Sequence, residues 1–212
     1  MNNTDKELLK EISESFNEQE VYNIRKNGKS IERKVNSYIN IVTKEDKSGI
    51  DIYVKENTLF GIVHIPVIIT ESGLTDIVYN DFHIGKNANV IIFAGCGIHN
   101  DLHKTSEHDG IHRFYLEEGS KVKYVEKHYG EGKGTGKKIL NPTTEIYMKK
   151  SSTMTMDSVQ IKGVDNTLRI TKAKLDDDTT LEISEKILTT DKEAAKTEFI
   201  VNLNGENASV HV

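Results

Sequence analysis

Between Cys96 and His112 the chain brings together one thiol, four imidazoles and several carboxylates, in the stretch GCGIHNDLHKTSEHDGIH that begins at Gly95. Iron and zinc take this mixture of thiolate, imidazole and carboxylate ligands. Cys96, His99, Asp101, His103, His108 and His112 are therefore candidate metal ligands. The spacing C-x2-H-x3-H-x4-H-x3-H follows no standard zinc pattern, and a polar loop between strands also collects solvated His and Asp, so both readings stand. Cys96 is the only cysteine. It reads either as a small buried residue at the end of the apolar strand Val90 to Ala94, or as a sulfur acceptor. On the second reading Gly95 and Gly97 leave backbone N–H groups accessible, and His99 and His103 stabilise a thiolate. One cysteine cannot supply the four thiolates that usually hold an iron-sulfur cluster. Any cluster here takes further ligands from a second chain, from His or carboxylate groups, or from residues outside this sequence.

Two other segments invite chemistry. Glu126 and His128 are two residues apart and share one face of a strand. They face the Cys96 stretch if neighbouring strands stack in register, and otherwise belong to a solvated face. The segment GEGKGTG, Gly130 to Gly136, lacks the Gly-Lys-Ser/Thr ending of a phosphate loop and precedes no helix, so it reads as a mobile turn. No G-x-S-x-G nucleophile elbow occurs.

The elements that must position these groups are mostly strands. Leu8, Leu9, Ile12 and Phe16 fall on one helical face, and Thr4 with Glu7 forms a capping box, which predicts one short helix ending near Asn17. From Tyr22 onward, short runs rich in Val, Ile, Thr and Tyr alternate with Gly, Asn, Asp and Lys turns. A turn motif recurs: three polar positions, a small residue, any residue, then an apolar one. It starts at Lys55, Gly85, Glu117, Lys149, Asp176 and Gly205, at spacings of 30, 32, 32, 27 and 29 residues. A period near 30 with an apolar strand on each side of the turn predicts an all-β chain, a parallel β-helix of about six coils, over an antiparallel sandwich with evenly spaced hairpins. The expected division is a helix over 1–20 and a β-helix core over 21–212.

Composition narrows the function. Charged residues make up 29% of the 212 residues, apolar ones 36%, and there are two prolines, the balance of a folded chain. A net charge of -5 with no concentrated basic face argues against nucleic acid. The longest apolar run, Ile62 to Ile69, is too short to cross a bilayer, and the charged N-terminus lacks a signal-peptide core, so no membrane partner and a cytoplasmic location are expected.

With these residues in view, the stretch from about Ile50 to Val212 resembles the β-helical core of the SufB/SufD family. The segments that carry the resemblance are HIPVIITESGLTDIVYNDFHIG (His64 to Gly85), AGCGIHND (Ala94 to Asp101), HDGIHRFYLEEGSKVKYVEKHYGEG (His108 to Gly132) and VQIKGVDNTLR (Val159 to Arg169). The resemblance implies a scaffold for iron-sulfur cluster assembly, not an enzyme in its own right. It implies a SufC-like ABC-type ATPase as partner, with ATP bound only by that partner, and a transient iron-sulfur cluster. SufB-like members carry a cysteine after glycine at the position of Gly95 and Cys96, which implies that Cys96 receives sulfur from a sulfur-transfer protein. The family's cluster-building cysteine, its neighbouring acidic and His residues and its ATPase-gripping helices lie further toward the C-terminus and have no counterpart here. Because the chain stops inside what reads as a strand, it is expected to be a fragment or an engineered core whose open last coil favours a homodimer. The rival reading is an independent metal-dependent enzyme built on the His-rich loop 96–112. A carbohydrate-active β-helix is disfavoured by the absence of Trp.

Overall fold

The computed structural model describes residues 1–13, 16–17 and 20–212. One helix opens the chain, α1 (Asn3–Ile12). It is capped two residues earlier than the sequence suggests: the Asn2 side chain accepts from the Asp5 N–H at 2.9 Å and the Asp5 carboxylate accepts from the Asn2 N–H at 2.7 Å. The helix also stops at Ile12, short of the expected Asn17, and residues 14–15 lie outside the described ones. Its expected apolar face is correct, with Leu8, Leu9 and Ile12 buried against Ile68 and Tyr129, and Phe16 beside them.

The strands follow as β1 (Val21–Lys26), β2 (Lys29–Lys34), β3 (Ile39–Thr43), β4 (Gly49–Val54), β5 (Gly61–Ile69), β6 (Thr75–Ile84), β7 (Asn89–His99) and β8 (Ser106–Leu116). Then come β9 (Lys121–Glu131), β10 (Lys138–Leu140), β11 (Thr143–Met148), β12 (Thr153–Gln160), β13 (Asn166–Leu175), β14 (Thr180–Ile187), β15 (Ala194–Leu203) and β16 (Ser209–His211). They form two sheets. One runs β2-β1-β5-β7-β9-β12-β14-β16, and the other runs β3-β4-β6-β8-β11-β13, with β15 pairing β13 and β10 lying between β8 and β13. Successive coils pair in parallel, for example Cys96 with His128 between β7 and β9. The antiparallel pairs β1–β2 and β3–β4 sit together at the N-terminal end. The fold is the expected parallel β-helix, with about five turns in place of six, because six corner motifs bound five intervals.

The corner works through a repeated backbone conformation. Its third residue is left-handed in every window: Asn57, Asn87, Gly119, Ser151, Asp178 and Asn207 have φ between 55° and 69°. Asn, Asp and Gly tolerate that region best, which is why they recur there. The fourth residue is packed inside, and Thr58, Ser152 and Thr179 close the turn by donating their hydroxyls to the carbonyls of Lys55, Lys149 and Asp176. The stacked set is therefore Thr58, Ala88, Ser120, Ser152 and Thr179, while Thr153, Thr180 and Ser209 stack one place on, with Asn89 and Lys121. The first window departs from the pattern. Gly61, not Phe60, pairs with Val90, so one extra residue leaves Leu59 71% and Phe60 89% exposed.

Inward positions near the corners form apolar ladders such as Val90, Val122, Met154, Leu181 and Val210 along one sheet. On the other sheet, Ile52, Phe82, Phe114, Ile146 and Ala173 stack, and the Phe82 and Phe114 rings lie parallel at 4.3 Å. Each fully buried aliphatic or aromatic side chain contributes about 1.5–3 kcal/mol of transfer free energy. The far half of the interior is different, and it contains the candidate site.

Candidate functional site: a charged chamber inside the solenoid

Strand parity decides what enters the interior. Side chains alternate along a strand, so the apolar Ile92, Phe114 and Tyr124 carry Cys96, His108, His112, Glu126 and His128 to the same inner side. Cys96 and His99 thus belong to β7, and His108 and His112 to β8. Only residues 100–105 form a loop, which corrects the expectation of one ligand-bearing loop over 96–112. Glu126 and His128 are each 4% exposed, so they form part of a buried chamber and not a solvated face.

The chamber is ordered by two groups of charges whose arginines and Asp76 do not stand out in the sequence. Arg25 of β1 donates Nε and Nη2 to the two oxygens of Asp76 on β6, at 2.9 and 2.5 Å. Asp76 Oδ2 lies 3.2 Å from His108 Nδ1. Burial opposes ionisation of Asp76, but Arg25 and His108 outweigh it and hold the carboxyl far below its usual range. One to two coils further on, Arg169 of β13 donates to Glu126 Oε2 at 2.6 Å, to Glu185 Oε1 at 3.0 Å and to His128 Nδ1 at 3.0 Å. Tyr124 adds its hydroxyl to Glu126 Oε1 at 2.9 Å. Burial again disfavours the charge on Glu126, yet His128 and Arg169 keep it ionised. A buried charge without such partners costs several kcal/mol, so each arginine is as necessary to its carboxylate as the reverse. Counting by twos back from Ala173 and Leu175 would have placed Arg169 inside, and counting back from Phe82 does the same for Asp76.

Between these pairs lies a cavity of about 20 Å³ lined by Cys96, His108, Gly110, His112, Glu126 and His128, together with apolar side chains. Cys96 is 3% exposed. Burial pushes its thiol well above the ordinary range, and the negative charges of Asp76 and Glu126 push the same way. The expected accessible thiolate stabilised by His99 and His103 is therefore absent. The flanking glycines serve the outside of the sheet instead. A Cβ on Gly95 would come within 2.5 Å of the Ile12 carbonyl oxygen, and one on Gly97 within 3.2 Å of Leu8, so both exist to seat α1 over the strand. Desolvation lowers His112 to about 4. It also lowers His128, against the pull of Glu126.

The remaining predicted ligands sit apart from this chamber. His99 bonds Glu131 through Nδ1 and Asp101 through Nε2, both at 2.9 Å, and these carboxylates raise its pKa in spite of partial burial. His103 Nδ1 meets Thr135 Oγ1 at 2.9 Å on the surface. Asp101 accepts the Lys133 N–H at 2.7 Å. The glycine-rich segment is a held strip and not a free turn: Gly134 and Gly136 donate their N–H groups to the Asn100 and Leu102 carbonyls, at 3.1 and 2.9 Å. The six predicted ligands thus divide into Cys96, His108 and His112 inside, and His99, Asp101 and His103 outside. Among the described residues no three His, Cys, Asp or Glu side chains are already gathered to hold a metal ion.

No helix among the described residues is long and apolar enough to cross a membrane. Comparison with protein-family models, with curated proteins and with solved structures finds no match to this chain.

Proposed function

We propose that the chain is a scaffold component of an iron-sulfur cluster assembly system of the SufB/SufD kind, acting in the cytoplasm with a SufC-like ABC-type ATPase. The observation that carries this reading is the placement of Cys96. The residues that resemble the family fold into consecutive parallel coils, and the glycine-flanked cysteine projects into the interior, where an apolar cluster of Val67, Ile69, Ile98, Leu140 and Val164 meets a small cavity that His108, His112, Glu126 and His128 also line. A purely structural cysteine needs no His and Glu side chains in the cavity it borders. On this reading Cys96 receives sulfur from a sulfur-transfer protein as a persulfide, and the cluster is cargo whose other ligands come from outside this chain.

The burial of Cys96 adds a condition. Sulfur reaches it only when the coil wall opens, since its side chain faces the interior. An ATPase partner supplies the work for such a change. The rival reading, a self-sufficient metal enzyme on residues 96–112, loses its basis in one loop because its six ligands divide between interior and surface.

The test is reconstitution with the ATPase, ATP and a persulfide donor. Mass spectrometry of the Cys96 peptide is expected to show the gain of one sulfur atom, dependent on ATP and absent in Cys96→Ser. Failure of the ATPase to bind, together with no sulfur gain, overturns the proposal.

A further inference from the structure

Inside the chamber, His108 is arranged as metal-ligating histidines are. Its Nδ1 faces the Asp76 carboxylate at 3.2 Å, and Asp76 is itself clamped by Arg25 through two contacts. An ionised carboxylate accepts and does not donate, so Nδ1 is the donor to Asp76, and in the neutral ring Nε2 is the nitrogen that can bind a metal. A carboxylate behind the ring is the usual outer support of a metal-bound imidazole, where it fixes tautomer and orientation. His108 Nε2 lies beside Gly110. A Cβ built on that glycine would lie 3.5 Å from His108 Nε2 and 2.7 Å from His112 Nε2, so both nitrogens border the space that the missing side chain leaves. His112 is more than nine-tenths buried and its Nδ1 has no hydrogen-bond partner. Cys96 lines the same cavity from the opposite sheet.

We propose that His108, His112 and Cys96 form an interior site for one divalent transition-metal ion of borderline softness, with Asp76 and Arg25 as positioning residues and Gly110 as the space the ion requires. Two imidazole nitrogens and one thiolate suit zinc, iron(II) or cobalt(II), and a fourth position remains for Glu126 or water. The cavity volume of about 20 Å³ suits an ion or a water molecule and excludes an organic ligand. The three side chains do not converge on a single point in this conformation, so binding closes the site by side-chain rotation toward Gly110. His99, Asp101 and His103 take no part. This site goes beyond the scaffold reading and does not depend on it, since it needs neither partner nor sulfur donor.

Cobalt(II) is the probe. The chelator-treated full chain is titrated in its native state and, because the chamber is enclosed, also refolded from denaturant with cobalt present. One bound equivalent is expected, with visible d–d bands and a thiolate-to-cobalt charge-transfer band. Cys96→Ser loses the charge-transfer band and keeps the visible bands. His112→Gln weakens binding at least about 10-fold, and Asp76→Asn about 10–100-fold, as loss of an outer-shell carboxylate does elsewhere. Gly110→Ala abolishes binding without removing a ligand, and His103→Ala changes nothing. Circular dichroism of each variant separates lost binding from lost fold. If Asp76→Asn or Gly110→Ala does not fold, the Cys96 and His112 variants decide. No cobalt bound by either route, or cobalt bound with the same spectrum and affinity in Cys96→Ser and His112→Gln, overturns the site.

Discussion

At the scale of single residues, the interior histidines make the fold acid-sensitive. His112 holds its proton only below about 4 in the folded chain, against an ordinary value of 6.5. Between those two values the unfolded chain binds the proton and the folded chain does not, so stability falls as pH falls from about 6.5 toward 4. The loss from this one group reaches about 3–4 kcal/mol, since one pKa unit is about 1.4 kcal/mol. His128 is shifted the same way and adds to the slope. Asp76 acts lower on the scale. Its depressed pKa contributes stability above the ordinary carboxylate value of 3.8, which is lost as pH falls through its folded value. Urea unfolding at a series of pH values should show stability rising from pH 4 to pH 6.5, and His112→Gln should flatten that rise. An unchanged slope in the variant would show that His112 is protonated in the fold. A second residue-scale expectation concerns Arg169. Arg169→Met leaves Glu126 buried without its guanidinium partner, at a cost of about 3–5 kcal/mol, read as a lower Tm that Glu126→Gln in the same chain partly restores.

At the scale of elements, the strand ladder and the helix seat each permit a paired comparison. Val122 is buried between Val90 and Met154, whereas Lys121 beside it points to solvent. Val122→Asp should cost several kcal/mol, of the order of 3–5, because it removes an apolar contact and buries an unpaired carboxylate, while Lys121→Ala should stay within about 0.5 kcal/mol. Equal melting temperatures for the two would contradict the assigned parity. Gly95→Val tests the helix seat. Its side chain would start 2.5 Å from the Ile12 carbonyl oxygen, so α1 must lift, and protease cleavage within the first twelve residues should become faster than in the parent. These same elements explain what the sequence did and did not reveal. The period of the corner motif was legible because Asn, Asp and Gly mark a left-handed position on every coil. Parity was legible too, and would have carried Asp76 and Arg169 inside had it been followed from their apolar neighbours. The one-residue insertion before Gly61 was not, since Leu59 and Phe60 look like core residues until the register with Val90 is known. Nor was the seat of α1, because nothing in the first twelve residues says which strands they cover.

At the scale of the whole molecule, the β-helix has an interior of two kinds. Near the corners it is hydrocarbon, and in the far half a chain of charges from Arg25 and Asp76 through the His-lined cavity to Glu126, Arg169 and Glu185 runs beside a second apolar cluster of Val67, Ile69, Cys96, Ile98, Leu140 and Val164. A solenoid can carry such a chain because backbone pairing runs along its walls and is independent of what fills the middle. The cost is a set of buried ion pairs that well-packed hydrocarbon would match or exceed in stability. On the scaffold proposal, that cost is the expense of a chamber kept for its chemistry, with Cys96 enclosed in it. The most direct measurement is the rate at which Cys96 is alkylated in the native full chain, compared with the same chain in denaturant. The enclosed chamber predicts near-complete protection in the native state and full labelling after unfolding. Labelling of the native parent chain at the denatured rate would contradict it.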